Sequence, residues 1–374
     1  MQIGVPREHA AHERRVAATP ETVKKLKALG VDVLVEAGAG AGCDFADQLY
    51  ADAGATIVPD PAAVFAADIV LKVKRPDERE MELLRPGQVL VGQLDPYMNK
   101  EQVQAYAGKK VSSFALELLP RTTRGQAMDV LSSQANLAGY KAVLDALEHY
   151  SRVMPMMMTA AGTVTAAKVF VMGAGVAGLQ AIATARRLGS VVTATDVRPA
   201  AKEEIASLGA KFVGFIPEGA ATAGGYARAL TPEEQAEQKK VVADHIKNQD
   251  IVITTALIPG RKAPVLVTEA MVASMKPGSV IVDLAVETGG NVEGSRVGEV
   301  VVKNGVKIVG NPNVPSRLAP AASLLYARNL LNFVTLLVDK ESKGLVINRD
   351  DELIKGTQLT DAEGAVVHDA FKAA

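Results

Sequence analysis

The feature that most constrains this chain is its rhythm. Short runs of β-branched and other apolar residues alternate with helix-like stretches along nearly its whole length. In the second half the runs are Val169 to Val171, Val191 to Thr195, Lys211 to Val213, Ile251 to Thr254, Val280 to Asp283 and Val306 to Val309. Continuous apolar runs without period-two polarity suit strands covered on both faces, and strands separated by helices must pair in parallel. Six such strands predict a doubly wound sheet. The first 120 residues show the same beat at Ile3-Gly4-Val5, Val31 to Val35, Ile69-Val70-Leu71, Val89-Leu90-Val91 and Ser112 to Leu116. Thr19-Pro20-Glu21 is a helix start, because Thr caps free N–H groups and Pro has none to satisfy, and Gly30 supplies the stop. At 374 residues, against roughly 150 for an average domain, two α/β domains are expected.

Within this rhythm stands Gly173-Ala174-Gly175-Val176-Ala177-Gly178. A bare G-x-G-x-x-G is weak evidence, but this one follows the strand run Lys168 to Met172, opens an alanine-rich helix predicted over Leu179 to Leu188, and precedes a second strand ending at Asp196. Gly173 permits the tight turn, Gly175 lets the backbone approach a pyrophosphate, and Gly178 allows close helix–strand packing, while the helix N-terminus offers N–H groups and partial positive charge. Asp196, 18 residues beyond Gly178, is placed to accept bonds from an adenosine ribose and to repel a 2′-phosphate, which favours NAD(H) over NADP(H). Arg198 tempers that preference, and its plainer role is a solvated or pyrophosphate-facing guanidinium. Gly38-Ala39-Gly40-Ala41-Gly42-Cys43 also follows a strand run but has Cys43 where the third glycine belongs, and reads as a loop.

Composition removes several alternatives. Lys plus Arg is 41 and Asp plus Glu 42, a net charge of −1 with no long block of one sign, which argues against a nucleic-acid binder. Cys43 is the single cysteine, so neither an intrachain disulfide nor a cysteine metal cluster can form, and a reducing compartment fits. The charged N-terminus lacks a secretory core, and the uncharged run Val169 to Ala185 carries three glycines and Gln180, so no membrane span is expected. From Ala319 to Asp339 a helix is expected with Leu324, Leu325, Leu330, Leu331, Val334, Leu337 and Val338 on an apolar face, as a return helix or an oligomer contact. After Lys343, runs split by Gly356 and Gly364 suggest a β-hairpin added to the first domain. All five histidines read as surface residues, and Cys43 as a buried, inert thiol.

Between the halves lies the polar segment Pro120-Arg121-Thr122-Thr123-Arg124-Gly125-Gln126-Ala127-Met128-Asp129-Val130-Leu131-Ser132-Ser133, continuing to Tyr140, with a helix expected from Asp129. Together with Met154 to Gly162, Thr195-Asp196-Val197-Arg198, Thr254 to Gly260, Val282 to Gly290 and Asn313 to Arg317, it closely resembles the NAD(H)-binding α1 subunits, or domain I, of the proton-translocating NAD(P) transhydrogenases, within the wider alanine dehydrogenase/transhydrogenase family. The resemblance covers nearly the whole chain. It implies two Rossmann-like doubly wound parallel-sheet domains joined by helices with a cleft between them: residues 1–130 plus 325–374, and residues 140–318 as the NAD(H)-binding domain. It makes Arg121, Gln126, Asp129 and Ser132 the residues of the hydride site. Arg121, Asp129 and Ser132 would grip the nicotinamide ribose and carboxamide, and Gln126 would reach toward a second nicotinamide. Contacts to NAD(H) are implied for Gly173, Gly175, Val176, Ala177, Gly178, Asp196, Val197, Arg198, Thr255, Ala256 and Leu257. The aperiodic stretch Gly214 to Leu230 reads as a lid; the resemblance gives Gly225 and Tyr226 to its closure over the nucleotide. Thr231-Pro232-Glu233-Glu234 then restarts a helix with capping-box spacing.

The resemblance also implies partners: a membrane-embedded α2 subunit, a β subunit carrying NADP(H), a homodimer of this chain, and a cytoplasmic, peripheral position on the inner face of the membrane. Proton-translocating transhydrogenation of the Si-specific/Re-face type would then need those subunits. The rival is alanine dehydrogenase, whose carboxylate-binding positions correspond to Arg15 and Lys74. Its catalytic His falls on Asp95 and its catalytic Asp on Glu287, so the acid/base pair that amino-acid oxidation needs is not expected here. A non-catalytic NAD(H) sensor is the third possibility.

Overall fold

The computed structural model describes residues 1–214, 231–258, 260–339 and 341–372. The chain divides into two compact units, Met1–Gln134 with Ser316–Ala374, and Ala135–Pro315.

The first unit is built on strands β1 (Gln2–Val5), β2 (Asp32–Glu36), β3 (Thr56–Val58), β4 (Ile69–Lys74), β5 (Val89–Gln93) and β6 (Ser112–Ala115), all parallel and in the order β3-β2-β1-β4-β5-β6. Successive side chains point to opposite faces, so Ile69 and Leu71 join one apolar cluster while Val70 joins the other; Val89, Val91 and Leu90 divide the same way. Each fully buried aliphatic side chain contributes about 1.5–3 kcal/mol, which fixes register, since a slip by one residue would reverse both faces. The helix Pro20–Ala28 begins as expected, with the Thr19 hydroxyl accepting from the Thr22 N–H, and Gly30 follows its end at φ +83°. The helix Ala319–Val334 is a return helix: Tyr326, Leu330, Phe333 and Val334 are buried in the first unit's own core.

The second unit holds a two-stranded antiparallel hairpin, β7 (Met157–Thr159) and β8 (Gly162–Val164), and a sheet of β9 (Lys168–Met172), β10 (Val191–Thr195), β11 (Lys211–Phe212), β12 (Ile251–Thr254), β13 (Val280–Asp283), β14 (Val300–Lys303) and β15 (Val306–Val309). The sheet order is β11-β10-β9-β12-β13-β15-β14, parallel except for β14, which runs antiparallel to β15. All six predicted strands of this half are present. Strands β3, β7, β8 and β14 are additional to the expected set; all four are short and at most half-buried, although β14 carries the apolar run Val300 to Val302.

Two expectations need correction. The segment after Lys343 forms no pair of named strands among the described residues; within it, antiparallel pairing is confined to a short reversal around Gly364, where Val367 N–H donates to the Leu359 carbonyl. It contains the helix Glu352–Thr357, capped by the Asp351 carboxylate accepting from the Leu353 N–H, and isolated bridges such as Thr360 to Val366. Gly356 lies inside that helix, where a Cβ would come within 2.4 Å of the Pro120 ring; it marks a close approach rather than a turn. Nor are all the histidines on the surface: His245 is half-buried, edge-on to Phe170 at 4.8 Å and hydrogen-bonded to the Thr193 hydroxyl at 2.8 Å. Burial beside Lys211 and Lys168 lowers its pKa. Among the described residues no helix is long and apolar enough to cross a membrane, and no group of three or more His, Cys, Asp or Glu is placed to hold a metal.

Candidate functional site

In the second unit the chain leaves β9, the first strand, and turns at Gly173 with φ +104°, a conformation that strains any residue bearing a Cβ. The three glycines of the motif are required for three different reasons. A Cβ on Gly173 would lie 2.4 Å from the Thr255 hydroxyl, and one on Gly178 would lie 1.8 Å from the Gly173 carbonyl oxygen. A Cβ on Gly175 would meet nothing within 4 Å. Protein packing therefore explains Gly173 and Gly178 but not Gly175, which opens onto space that a phosphate needs if it is to approach the backbone.

Gly175 is also the N-cap of the helix Val176–Arg187 and provides no side-chain cap, so the first-turn N–H groups of Val176, Ala177 and Gly178 have no capping side chain among the described residues and suit an anionic acceptor. Predicted as Leu179 to Leu188, this helix starts three residues earlier. Large apolar side chains are exposed nearby in sequence on the same unit: Val176, Val197 and Leu257, the last two each 57% exposed. Such surfaces suit the apolar faces of a nucleotide.

Asp196 follows the end of β10. One carboxylate oxygen accepts from the Ala174 N–H at 2.7 Å, and the other from the Arg198 N–H at 2.8 Å and Nε at 3.2 Å. The carboxylate is thus locked beside the glycine turn, where sequence reasoning assigned it to the ribose alone. Arg198 is not a loose solvated cation: its guanidinium donates to the Ala174 carbonyl at 2.9 Å and also faces Glu204 at 3.5 Å. Thr255 closes the other side of the turn, its hydroxyl donating to the Gly173 carbonyl at 3.1 Å. The Ala256 N–H donates to Asn291 Oδ1 at 3.0 Å. Gly225 and Tyr226, with the expected lid, lie outside the described residues. The helix Pro232–Ile246 does start on the anticipated capping box, with the Thr231 hydroxyl accepting from Glu234 N–H and the Glu234 carboxylate accepting from Thr231 N–H.

In the first unit, Arg121, Gln126, Asp129 and Ser132 occupy a connected loop and helix start. Gly125 donates to the Thr122 carbonyl, a 3-10 turn runs Gln126–Met128, and the helix Val130–His149 follows. Asp129 caps that helix: its carboxylate accepts from the Ser132 N–H at 2.9 Å and from the Ser132 hydroxyl at 2.5 Å. The helix expected from Asp129 thus begins one residue later, with Asp129 as its cap. Asn329 and Asn332 both donate to the Ala127 carbonyl, at 2.9 and 3.0 Å, and the Ser133 hydroxyl donates to Asn329. Arg124 pairs with Asp351. These bonds fix the backbone while Arg121 and Gln126 remain exposed and Asp129 and Ser132 half-exposed, an arrangement that presents fixed donors and acceptors to a ligand.

Of the four positions that matter for amino-acid oxidation, Arg15, Asp95 and Glu287 are engaged by neighbouring groups. Glu287 is exposed and accepts the Asn313 N–H at 2.8 Å. Asp95 has φ +47° and accepts from the Asn99 amide at 3.0 Å, with burial raising its pKa. Buried Arg15 is held by both Glu13 oxygens, at 2.7 and 2.8 Å, and by Gln134 at 2.8 Å. Gly38–Cys43 is a loop ending in a 3-10 turn, as read; a Cβ on Gly42 would strike the Arg14 carbonyl at 2.5 Å, so that glycine serves internal packing. Cys43 is buried, donates to the Arg14 carbonyl, and has its pKa raised by burial.

Sequence reasoning missed Glu117, which precedes this loop by four residues. Its carboxylate is buried in a half-buried residue, one oxygen accepts from the Asp95 N–H, the other has no partner among the described residues, and burial pushes its pKa up to about 7. Nothing in a single sequence distinguishes it from a solvated glutamate.

Comparison with known proteins agrees over the whole length. Residues 4–138 match the family described as Alanine dehydrogenase/PNT, N-terminal domain, and residues 142–369 match Alanine dehydrogenase/PNT, C-terminal domain. A protein of Rhodospirillum rubrum, named as the first part of NAD(P) transhydrogenase subunit alpha, is 53% identical over 380 aligned residues, covering 99% of each chain. A solved structure of transhydrogenase from Sinorhizobium meliloti is similar at a TM-score of 0.89 and 57% identity, covering 98% of this chain and all of that one. The alanine dehydrogenase of Bacillus subtilis is 32% identical over 99% of this chain and 93% of its own.

Proposed function

The chain belongs to the alanine dehydrogenase/PNT family, and we propose that within it this chain is the NAD(H)-binding subunit of a proton-translocating NAD(P) transhydrogenase, which passes a hydride directly between NADH and an NADP+ held by a partner subunit. The observation that carries this reading is a pairing of presence and absence: the glycine turn with Asp196 is built for a dinucleotide, while Glu287 is committed to the Asn313 N–H and no histidine stands at position 95. Dehydrogenating an amino acid requires proton transfer; moving a hydride between two nicotinamide rings requires mainly distance and orientation. NADH, when bound, supplies the hydride from its C4.

The Gly175 backbone and the N–H groups of Val176 to Gly178 hold the pyrophosphate, and the Asp196 carboxylate, already carrying an Arg198 bond, disfavours a 2′-phosphate. Val197, Arg198, Thr255, Ala256 and Leu257 complete the adenosine side. Arg121, Asp129 and Ser132 bind the nicotinamide ribose and carboxamide, and Gln126 meets the second nicotinamide. The name of the Rhodospirillum relative, one portion of a subunit alpha, supports an assembly in which further subunits supply the membrane domain and the NADP(H) site. In that assembly this chain is a homodimer at the inner face of the cytoplasmic membrane, beside an α2 and a β subunit.

Reconstitution tests the reading. With an NADP(H)-binding partner present, the chain should catalyse NADH-dependent reduction of an NAD analogue when NADP(H) is supplied, and should bind NADH at least tenfold tighter than NADPH. No turnover in that mixture would favour a nucleotide sensor. L-alanine-dependent reduction of NAD by the pure chain would favour alanine dehydrogenase.

A further inference from the structure

Strand β12 ends at Thr254, and Thr255 and Ala256 then face the glycine turn. A chain leaving a sheet exposes an N–H and a C=O that must be paired once buried. At Ala256 one side chain pairs both. Asn291 Oδ1 accepts the Ala256 N–H at 3.0 Å, and Asn291 Nδ2 donates to the Ala256 carbonyl at 2.9 Å and to the Pro264 carbonyl at 2.8 Å. A carboxamide that both gives to and takes from one residue does what a neighbouring strand would do. Aspartate of the same size can only accept when ionised.

Asn291 is completely buried, and its own backbone is fixed. Its N–H is shared between the two oxygens of Asp283, at 3.2 and 3.0 Å, and the same carboxylate accepts from Val292 N–H, Ala285 N–H and the Thr254 hydroxyl. On the far side, Thr255 holds the Gly173 carbonyl at 3.1 Å, so the hydrogen-bonded path runs from Asp283 through Asn291 and the Ala256–Thr255 backbone to the turn of the dinucleotide motif.

We propose that Asn291 is a positioning residue for dinucleotide binding: without touching the ligand, it sets Ala256 and Thr255, and through Thr255 the Gly173 turn, in the geometry that receives the pyrophosphate. This rests on the NAD(H) reading of the site.

The test is a titration of the full chain with NADH, followed by NADH fluorescence, for the wild type, Asn291→Asp, Thr255→Val and the double variant. Asn291→Asp keeps the volume and the acceptor but loses both donors. Each single variant should weaken NADH binding by about tenfold, the scale of losing one or two buried hydrogen bonds. The double variant should be within about twofold of the weaker single one, because both substitutions release the same loop. Binding by Asn291→Asp within twofold of wild type overturns the proposal, and so do effects that multiply in the double variant. Should Asn291→Asp fail to give a cooperative thermal transition, Asn291→Ser replaces it in the same cycle under the same criteria. A wild type that does not bind NADH brings down the site reading itself, whereas a wild type that binds alongside indifferent variants brings down only the role of Asn291.

Discussion

The two sheets share one strand order and use it in opposite ways. In each, the first strand lies at the centre, with the second and third on one side and the fourth onward on the other. The crevice beyond the carboxyl ends of the first and fourth strands is where such sheets bind ligands. In the second unit, the chain leaving β9 supplies glycines and helix N–H groups that no side chain caps among the described residues. In the first, the chain leaving β1 supplies Glu8, whose carboxylate accepts the backbone N–H groups of Val73 and Lys74 at the end of β4 and pairs with buried Lys72 at 3.2 Å. Lys72 in turn bonds Glu80 at 2.6 Å, and although burial opposes its charge, the two carboxylates hold its pKa above the ordinary value. An internal anion fills in the first unit the position that, on the proposed reading, the second keeps for an external one. Fold alone would not have told them apart.

If that contrast is right, substitutions in the two crevices should separate into effects on stability and effects on binding. The largest effect is expected for Lys72→Met, which strands two buried carboxylates and should cost about 3–5 kcal/mol in urea unfolding, with NADH affinity of the folded protein unchanged. A loss of affinity without loss of stability would break the comparison. Next is Gly175→Ala, whose Cβ would meet no protein atom within 4 Å but would fill the space the pyrophosphate needs; NADH binding should weaken by on the order of a hundredfold, about 2.7 kcal/mol, measured by titration, with stability unchanged. Its counterpart Gly42→Ala should lower the unfolding midpoint and leave NADH binding alone.

A smaller effect concerns Glu117 in the first unit. Its folded pKa, about 7, lies above that of an unfolded glutamate, so the folded state retains a proton that the unfolded state has lost. Stability is therefore fully present below the unfolded pKa, near 4.3, and declines as pH rises through about 7, by about 2.5 kcal/mol between pH 5 and pH 8. Glu117→Gln should flatten that window in urea titrations at pH 5 and pH 8; an unchanged slope would contradict it. The smallest effect is expected for Glu204→Gln. Removing a half-exposed competitor for Arg198 should tighten NADPH binding by about two- to threefold and leave NADH unaffected, read by parallel titrations.

What the sequence disclosed follows from how local each signal is. Strands such as Val280–Asp283 and Ile251–Thr254 were legible to the residue, because burial on both faces demands an unbroken apolar run and the polar end residue marks the exit. Edge strand β3 is too short to leave that pattern, whereas β14 shows it at Val300 to Val302 although its residues are at most half-buried. The tail was misread because Gly356 resembles a breaker until Pro120, distant in sequence, is found against it. The glycine motif was recognisable since its requirements lie within six consecutive residues. Glu8, Asp283 and Asn291 were not, because their partners lie 65, 29 and 35 residues away and ordinary polar residues carry no mark of such a contact.

The first unit is discontinuous in the chain, and this bears on how the protein is made. Ser323 accepts the Val16 N–H at 3.1 Å, and the Tyr326 hydroxyl donates to the Lys72 carbonyl at 2.9 Å, so residues near the end complete a core begun by residues near the start. During translation the whole of residues 135–315 emerges before those groups can meet. The later unit can therefore finish folding while the earlier one still shows an uncovered sheet face to the cell, and a nascent chain stalled near residue 345, with about the last 30 residues still inside the ribosome, should show the second unit resistant to protease and the amino-terminal unit open to it.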